Sequence, residues 1–337
     1  MAFIAGAYVL ETGGNFIGQI EDGINIEYSN SMEEVRGDNL GQSIQDGVYR
    51  GGNCYVDFTL LEYNMTYLHD LIWPWSDTFG MCGVPGLLAT SRVTPLTFTA
   101  ITGSPAHSGV HSLYTMDNAI LAPEYPVRLS FNSRLRRVQL RLQLLPFVST
   151  DTYWFKPSAY SGDPVTYTAS SNFTAGPYTA TFGHNAARVD LGTTEDGFDI
   201  EYIFHADPIR GDNLGDSIQD YVYRGGDCFV NCTLTEWSAA RAAILAPVFG
   251  SAFHTGKLKT ESGVSQMGGL VSAATYHDEL ILTRVASTAT PTTFVANQVA
   301  LAPGYPIRYV LAPRLRRIPL RFQLFPNATT PVWFAVT

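Results

Sequence analysis

The sequence predicts an all-β protein made of two tandem homologous modules, each a β-sandwich or barrel-like fold with one short helix. Three observations predict this. Residues 21–62, EDGINIEYSNSMEEVRGDNLGQSIQDGVYRGGNCYVDFTLLE, return at residues 195–236 as EDGFDIEYIFHADPIRGDNLGDSIQDYVYRGGDCFVNCTLTE, at a constant offset (195 − 21 = 174) and with more than half of the positions identical. A second block, LAPEYPVR at 121–128 with RLRRVQLRLQLLP at 134–146, returns as LAPGYPIR at 301–308 and RLRRIPLRFQLFP at 314–326, now offset by 180 (301 − 121 = 180). Through both blocks apolar and polar residues alternate with the period of a strand. A tandem repeat of this length fixes the organisation before any local feature is weighed. It divides the chain into a first module (1–155), a linker or arm rich in Ser, Pro, Gly, Thr and Tyr (156–178), and a second module (179–337).

In chain order, a first strand is expected near residues 7–11, ending at Gly13-Gly14. GINIEY then alternates: Ile24, Ile26 and Tyr28 point one way, Asn25 and Glu27 the other. Phe198, Ile200 and Tyr202 against Asp199 and Glu201 repeat the pattern. Residues 29–52 and 203–226 read as polar loops. The next strand carries Val56, Phe58 and Leu60 inward and Tyr55, Asp57 and Thr59 outward. Its copy sets Val230, Cys232 and Leu234 against Phe229, Asn231 and Thr233. Tyr63, Tyr67, Leu68, Leu71 and Ile72 lie along a helical stripe stopped by Pro74, and residues 236–245 give the second, alanine-rich helix. Loops follow at 74–92 and 246–277. Strands are expected at 94–101 and 113–121, and again at 279–285 and 292–301. The last strand is the most regular: Val138, Leu140, Leu142 and Leu144 alternate with Arg137, Gln139, Arg141 and Gln143. Its copy contains Pro319, which has no N–H to donate, so that point lies on an edge or faces its nitrogen outward.

Composition removes several function classes. The net charge of −9 opposes a general affinity for nucleic acid or an anionic membrane. No apolar run is long enough to cross a bilayer, and the N-terminal residues read as no signal peptide. Of the four cysteines, Cys54 and Cys228 are repeat equivalents whereas Cys82 and Cys232 are not. Cys228 and Cys232 stand about 13 Å apart along one strand, too far to bond. The expectation is reduced, buried thiols with no metal and no cofactor.

Motif by motif, structural readings outweigh catalytic ones. The RGD triplets, Arg36-Gly37-Asp38 and Arg210-Gly211-Asp212, belong to a duplicated loop that also holds Asp46, Arg50, Asp220 and Arg224. A structured loop whose charges contact a neighbouring subunit or ring fits it better than an adhesion signal. Ser43 and Ser217 sit in a faint esterase-like block that lacks a base partner, so no enzyme is expected. The histidines do not repeat. The alternate arginines of the RLRR segments are expected to pair with acidic strands across the sheet or an interface rather than to bind DNA.

The order of strand, acidic loop ending in YRGG, strand, single helix, strands, then RLRxxPLRxQLFP closing near an aromatic pair (Trp154-Phe155, Trp333-Phe334) resembles the tail tube protein of long-tailed bacteriophages, in a duplicated form. The carrying stretches are 37–60, 211–234, 134–146 and 314–326. The resemblance implies trimeric, pseudo-hexameric rings stacked into a tube in the virion tail, assembled in the host cytoplasm. Its partners would be further copies of itself and other tail proteins at the tube ends, with double-stranded DNA passing through and no membrane bound. On that reading Asn25, Glu27, Asp57, Thr59, Asp199, Glu201, Asn231 and Thr233 line an acidic channel that repels the duplex. Replacing Glu27 and Glu201 with Lys is then expected to spare assembly and impair genome delivery. The sequence leaves open another tail ring component (terminator, adaptor or distal tail protein). It also leaves open a tandem carbohydrate-binding module using exposed aromatics such as Trp73, Trp75 and Tyr160.

Overall fold

A computed structural model describes residues 8–36, 44–61, 65–101, 112–131, 137–146, 153–159, 177–183, 188–211, 216–236, 260–261, 264–265, 278–285, 292–306, 317–326 and 331–337. The first module contains β1 (Tyr8–Thr12), β2 (Asn15–Arg36), β3 (Ile44–Leu60), the helix α1 (Met65–Ile72), β4 (Thr94–Ala100), β5 (Leu113–Leu121), β6 (Val127–Phe131), β7 (Val138–Leu144) and β8 (Lys156–Ser158). Antiparallel ladders run β1-β2-β3-β7-β5-β4 and return from β4 to β1, so this sheet closes on itself as a barrel. Closure covers β2 along residues 15–19, where β1 pairs with it. The inward residues are those of the period-two pattern. Val56, Phe58 and Leu60 face Val138, Leu140 and Leu142, with Leu10, Ile17 and Phe98 filling the centre.

The second module contains β9 (Tyr178–Gly183), β10 (Val189–Asp190), β11 (Thr194–Arg210), β12 (Ile218–Leu234), the short hairpin β13 (Thr260–Glu261) and β14 (Val264–Ser265), β15 (Asp278–Arg284), β16 (Thr293–Leu301), β17 (Ile318–Leu324) and β18 (Ala335–Val336). Its strands pair in the equivalent order β9-β15-β16-β17-β12-β11. Phe182, Phe322, Leu280, Leu282, Val230 and Leu320 form its interior. Among the described residues β11 and β9 share no ladder, and β10 lies on β9 instead.

Several expectations change here. Residues 29–36, 44–52, 203–210 and 218–226 are not loops: β2 and β3, and likewise β11 and β12, continue as long two-stranded ribbons paired out to Arg36↔Ile44 and Arg210↔Ile218. Along the first arm the alternation signal fades because Met32, Val48 and Tyr49 lie exposed, whereas the second arm buries Phe204, Tyr221 and Tyr223 against residues distant in the chain that a local pattern does not announce. Residues 156–158, assigned to the linker, are β8 and pair with β5. The remaining linker residues 160–176 and the second helix (236–245) lie outside the described residues, save Glu236, which follows β12. At Pro319, β17 has β12 on one side, while β16 joins it only from Phe322 onward, so the missing N–H interrupts no ladder.

The largest departure is β6. It leaves the first module and pairs antiparallel with β11 of the second, Phe198↔Phe131 through Tyr202↔Val127. Val127, Leu129 and Phe131 are buried there, and the Phe131 ring meets Tyr178 edge-on at 5.0 Å. Three such side chains contribute about 1.5–3 kcal/mol each. The buried core is accordingly continuous from one module into the other.

Candidate functional site

Two surfaces stand out: the charged outer face of the β2-β3-β7 and β11-β12-β17 strands, and the junction between the modules.

On the outer face Glu21, Glu27 and Asp57, and in the second module Glu195 and Glu201, meet arginines of the sheet, whereas Asp199 has a buried carboxylate oxygen without a hydrogen bond. Arg141 reaches Glu27 at 2.7 Å and Asp57 at 3.1 Å, and Arg137 holds Glu21 at 2.6 Å. The second module repeats this. Arg321 meets Glu201 at 2.8 Å and Arg317 meets Glu195 at 2.7 Å, while Asn231 replaces Asp57 beside Arg321. The arginine planes also lie over aromatic rings, Arg141 4.4 Å from the Tyr55 centroid and Arg321 3.9 Å from Phe229. Such stacking adds to the hold on each guanidinium. The Arg137 hydrogen bond draws the Glu21 carboxyl below its ordinary range. Burial raises that of Asp57 against the pull of Arg141. The face is therefore a charge-compensated ladder, not the bare acidic wall expected from the strand pattern. The cross-sheet arginine pairing expected from the RLRR alternation is present.

The eight face positions divide by module. Asn25 and Glu27 are exposed, and Asp57 and Thr59 are half-buried. Asp199, Asn231 and Thr233 are half-buried, but the Glu201 side chain is only 5% exposed, because β6 crosses it and Arg128 adds a second ion pair at 3.0 Å. The expectation that lysine would be tolerated at Glu201 is withdrawn on this ground. A lysine there would stand between two arginines with little water to screen them.

The junction is organised by residues 73–90 of the first module. Trp73 and Trp75, expected as exposed sugar-stacking aromatics, are fully buried; Tyr160 lies outside the described residues. The Trp73 ring sits 4.6 Å from Tyr202, 5.3 Å from Phe204 and 5.6 Å from both Trp333 and Phe334. Its Nε1–H donates to the Met81 carbonyl at 2.7 Å. Trp75 stacks on Tyr223 at 5.0 Å. Backbone bonds reinforce the rings: Gly86 N–H to Tyr223 O and Tyr223 N–H to Leu87 O join the segment to β12, and Trp333 N–H to Gly80 O joins it to the C-terminal residues. Gly80 has φ +88°, and a Cβ there would fall 2.2 Å from the Phe334 carbonyl oxygen, so this approach needs glycine.

The duplicated-loop residues fall partly in this junction. Asp220 accepts from the Thr90 N–H (2.9 Å) and hydroxyl (2.7 Å). Arg50 pairs with Glu33 and its carbonyl accepts from Asp216 N–H; Arg224 pairs with Asp207; Arg210 donates to the Asp216 carbonyl. Ser217 is buried, and its hydroxyl accepts the Gly52 N–H at 2.9 Å, a structural role. For Arg36 and Asp46 the backbone pairing alone is described, and Asp38 and Asp212 lie outside the described residues. The sequence offered no signal for Thr90, Arg128 or Trp73 as junction residues, since each acts on a partner more than seventy positions away.

His205 also spans the junction. Its Nδ1 lies 2.7 Å from Glu124 of the first module and its Nε2 3.1 Å from Asp227 of the second. A neutral imidazole has one N–H, so two carboxylates favour the doubly protonated ring. Burial lowers its pKa, but the two hydrogen bonds outweigh that and leave it raised. The stabilisation is thus fully present below the unfolded pKa near 6.5 and is lost as pH rises through the higher folded value. Thermal melts should show the wild type losing more stability than His205→Gln between roughly pH 6 and pH 8. Parallel pH dependence in the two proteins would refute this role.

All four cysteines are free thiols. Burial raises Cys54 and Cys82 to about 11, Cys232 to about 12 and Cys228 well above its ordinary value, so none is a nucleophile near neutral pH. Among the described residues no group of His, Cys, Asp and Glu is arranged to hold a metal ion, and no helix is long and apolar enough to cross a membrane.

The chain is thus an all-β protein of two antiparallel modules in which one module docks on the next through a shared strand. Compared with known families and curated proteins, it matches no family model and no curated protein.

Proposed function

We propose that the chain is the subunit of a phage tail tube, a structural virion protein that forms trimeric, pseudo-hexameric rings stacked around a channel for double-stranded DNA. One observation carries this reading. Within a single chain, the first module adds a strand to the sheet of the second, and the same step repeated between chains generates a ring. A hexagonal arrangement of modules needs three chains, and a closed heterologous ring leaves no sheet edge free.

The compensated face supplies a mechanism for conduction when it lines the channel. DNA adheres to proteins through lysines and arginines that displace its counterions. Arg141 and Arg321 are each held by a carboxylate and an aromatic ring, which withholds them from phosphate. A wall whose cations are already paired offers the passing duplex no foothold. The long β2-β3 and β11-β12 hairpins are suited to contacts between rings, and other tail proteins would cap the tube ends. The buried state of Trp73 and Trp75 withdraws two of the three aromatics that the sugar-binding reading named. Negative-stain images of the purified protein should show rings and stacked tubes with a central hole. A monodisperse monomer at every concentration up to that of a crowded cytoplasm would overturn the reading.

A further inference from the structure

The two modules are related by sequence, but their equivalent surfaces are covered unequally. In the second module, β11 residues 198–202 have β12 on one side and β6 on the other. The equivalent residues of the first module, 24–28 of β2, pair with β3 on one side, and no described strand lies on the other. Burial follows the same division. Tyr202 and Tyr223 are 0% and 1% exposed, whereas their equivalents Tyr28 and Tyr49 are 47% and 55% exposed. Met32, paired with Tyr49 across the ribbon and 60% exposed, extends the same patch. Trp333 and Phe334 are buried under residues 73–82, while the matching pair Trp154 and Phe155 is half-buried, with Trp154 5.0 Å from Tyr28. A contiguous apolar patch next to an open strand edge marks an interaction surface.

The sequence also contains the piece that fits the edge; the patch beside it is the equivalent of the face that Trp73 and Trp75 cover in the second module. The segment that covers the second module, VRLSF at 127–131, has its repeat equivalent in IRYVL at 307–311 (127 + 180 = 307), and these residues lie outside the described residues. We infer that residues 307–311 of one chain pair antiparallel with residues 24–28 of β2 in a second copy, in the register that β6 adopts on β11. Transferring Glu201↔Arg128 and Tyr202↔Val127 sets Arg308 opposite Glu27 and Ile307 opposite Tyr28. Arg308 then meets Glu27 as Arg128 meets Glu201, with Arg141 already standing on the other side of Glu27. Charge complementarity and a backbone edge with no partner among the described residues agree on one occupant, a copy of this chain. The inference deepens the tube reading and rests on it for ring closure, while the pairing itself stands on the repeat.

The test uses register-specific disulfides. Directly opposed residues of an antiparallel pair have Cα atoms within disulfide range, and a one-residue slip turns side chains to opposite faces. Full-length Glu27→Cys and Arg308→Cys proteins are mixed and oxidised. The expected result is a covalent dimer, with the double variant giving species up to a closed trimer. Glu27→Cys mixed with Tyr309→Cys should give at least tenfold less product. Arg308→Glu, which sets two carboxylates face to face, should shift assembly to at least tenfold higher protein concentration while leaving the thermal melt of the monomer unchanged. Assembled particles that yield no 27–308 bond, or yield equal product at 27–309, would overturn the pairing and leave the tube reading standing. A strong 27–308 bond in chains that never form hollow stacks would uphold the pairing and overturn the tube.

Discussion

Trp73→Ala is expected to destabilise the whole chain by about 3–5 kcal/mol, the range for removing a buried tryptophan from a packed core. Trp73 follows α1 of the first module, yet its ring is surrounded by Tyr202, Phe204, Trp333 and Phe334 of the second. Removing the indole leaves a cavity between modules and strands the Met81 carbonyl that its N–H reaches. Because both cores share this cluster, the loss should appear in a single cooperative transition. Urea unfolding of dilute protein, followed by tryptophan fluorescence and by circular dichroism, measures it. A change below ~1 kcal/mol, ordinary for a surface site, would show that the junction is not a shared core.

The second large effect contrasts one substitution at two equivalent positions. Glu201→Lys is expected to cost about 3–5 kcal/mol, because it removes the buried carboxylate that Arg128 and Arg321 share and puts an ammonium in a site only 5% exposed. Glu27→Lys breaks the equivalent Arg141 pair on a half-exposed site, where screening holds the cost to roughly 0–1 kcal/mol. Monomer unfolding of the two variants side by side distinguishes them. Equal costs would mean that β6 does not shield Glu201 in solution. This comparison also separates stability from delivery: Glu27 remains a fair probe of the channel face, and Glu201 does not.

Much of the fold was legible because strand signals are local. The alternation through residues 137–144 and 317–324 predicted β7 and β17, each of which begins one residue later. Residues 113–121 likewise matched β5. Proline after Ile72 and Trp73 marked the helix end. The arginine–carboxylate pairing was legible too, since alternate charges on neighbouring strands meet whenever the register is antiparallel.

What the sequence by itself determined is the duplicated module, its β class, the inward and outward sides of each core strand, and four cysteines with no framework to bond them. Only the tertiary structure decided which module each strand serves. β6 joins the second module, Trp73 and Trp75 are buried rather than exposed, Glu201 is enclosed while Glu27 faces solvent, and the supposed loops are paired arms. The physical reason is that a period of two records which side of a strand is apolar, whereas the strand's neighbour is chosen by ladders and packing between residues far apart in the chain.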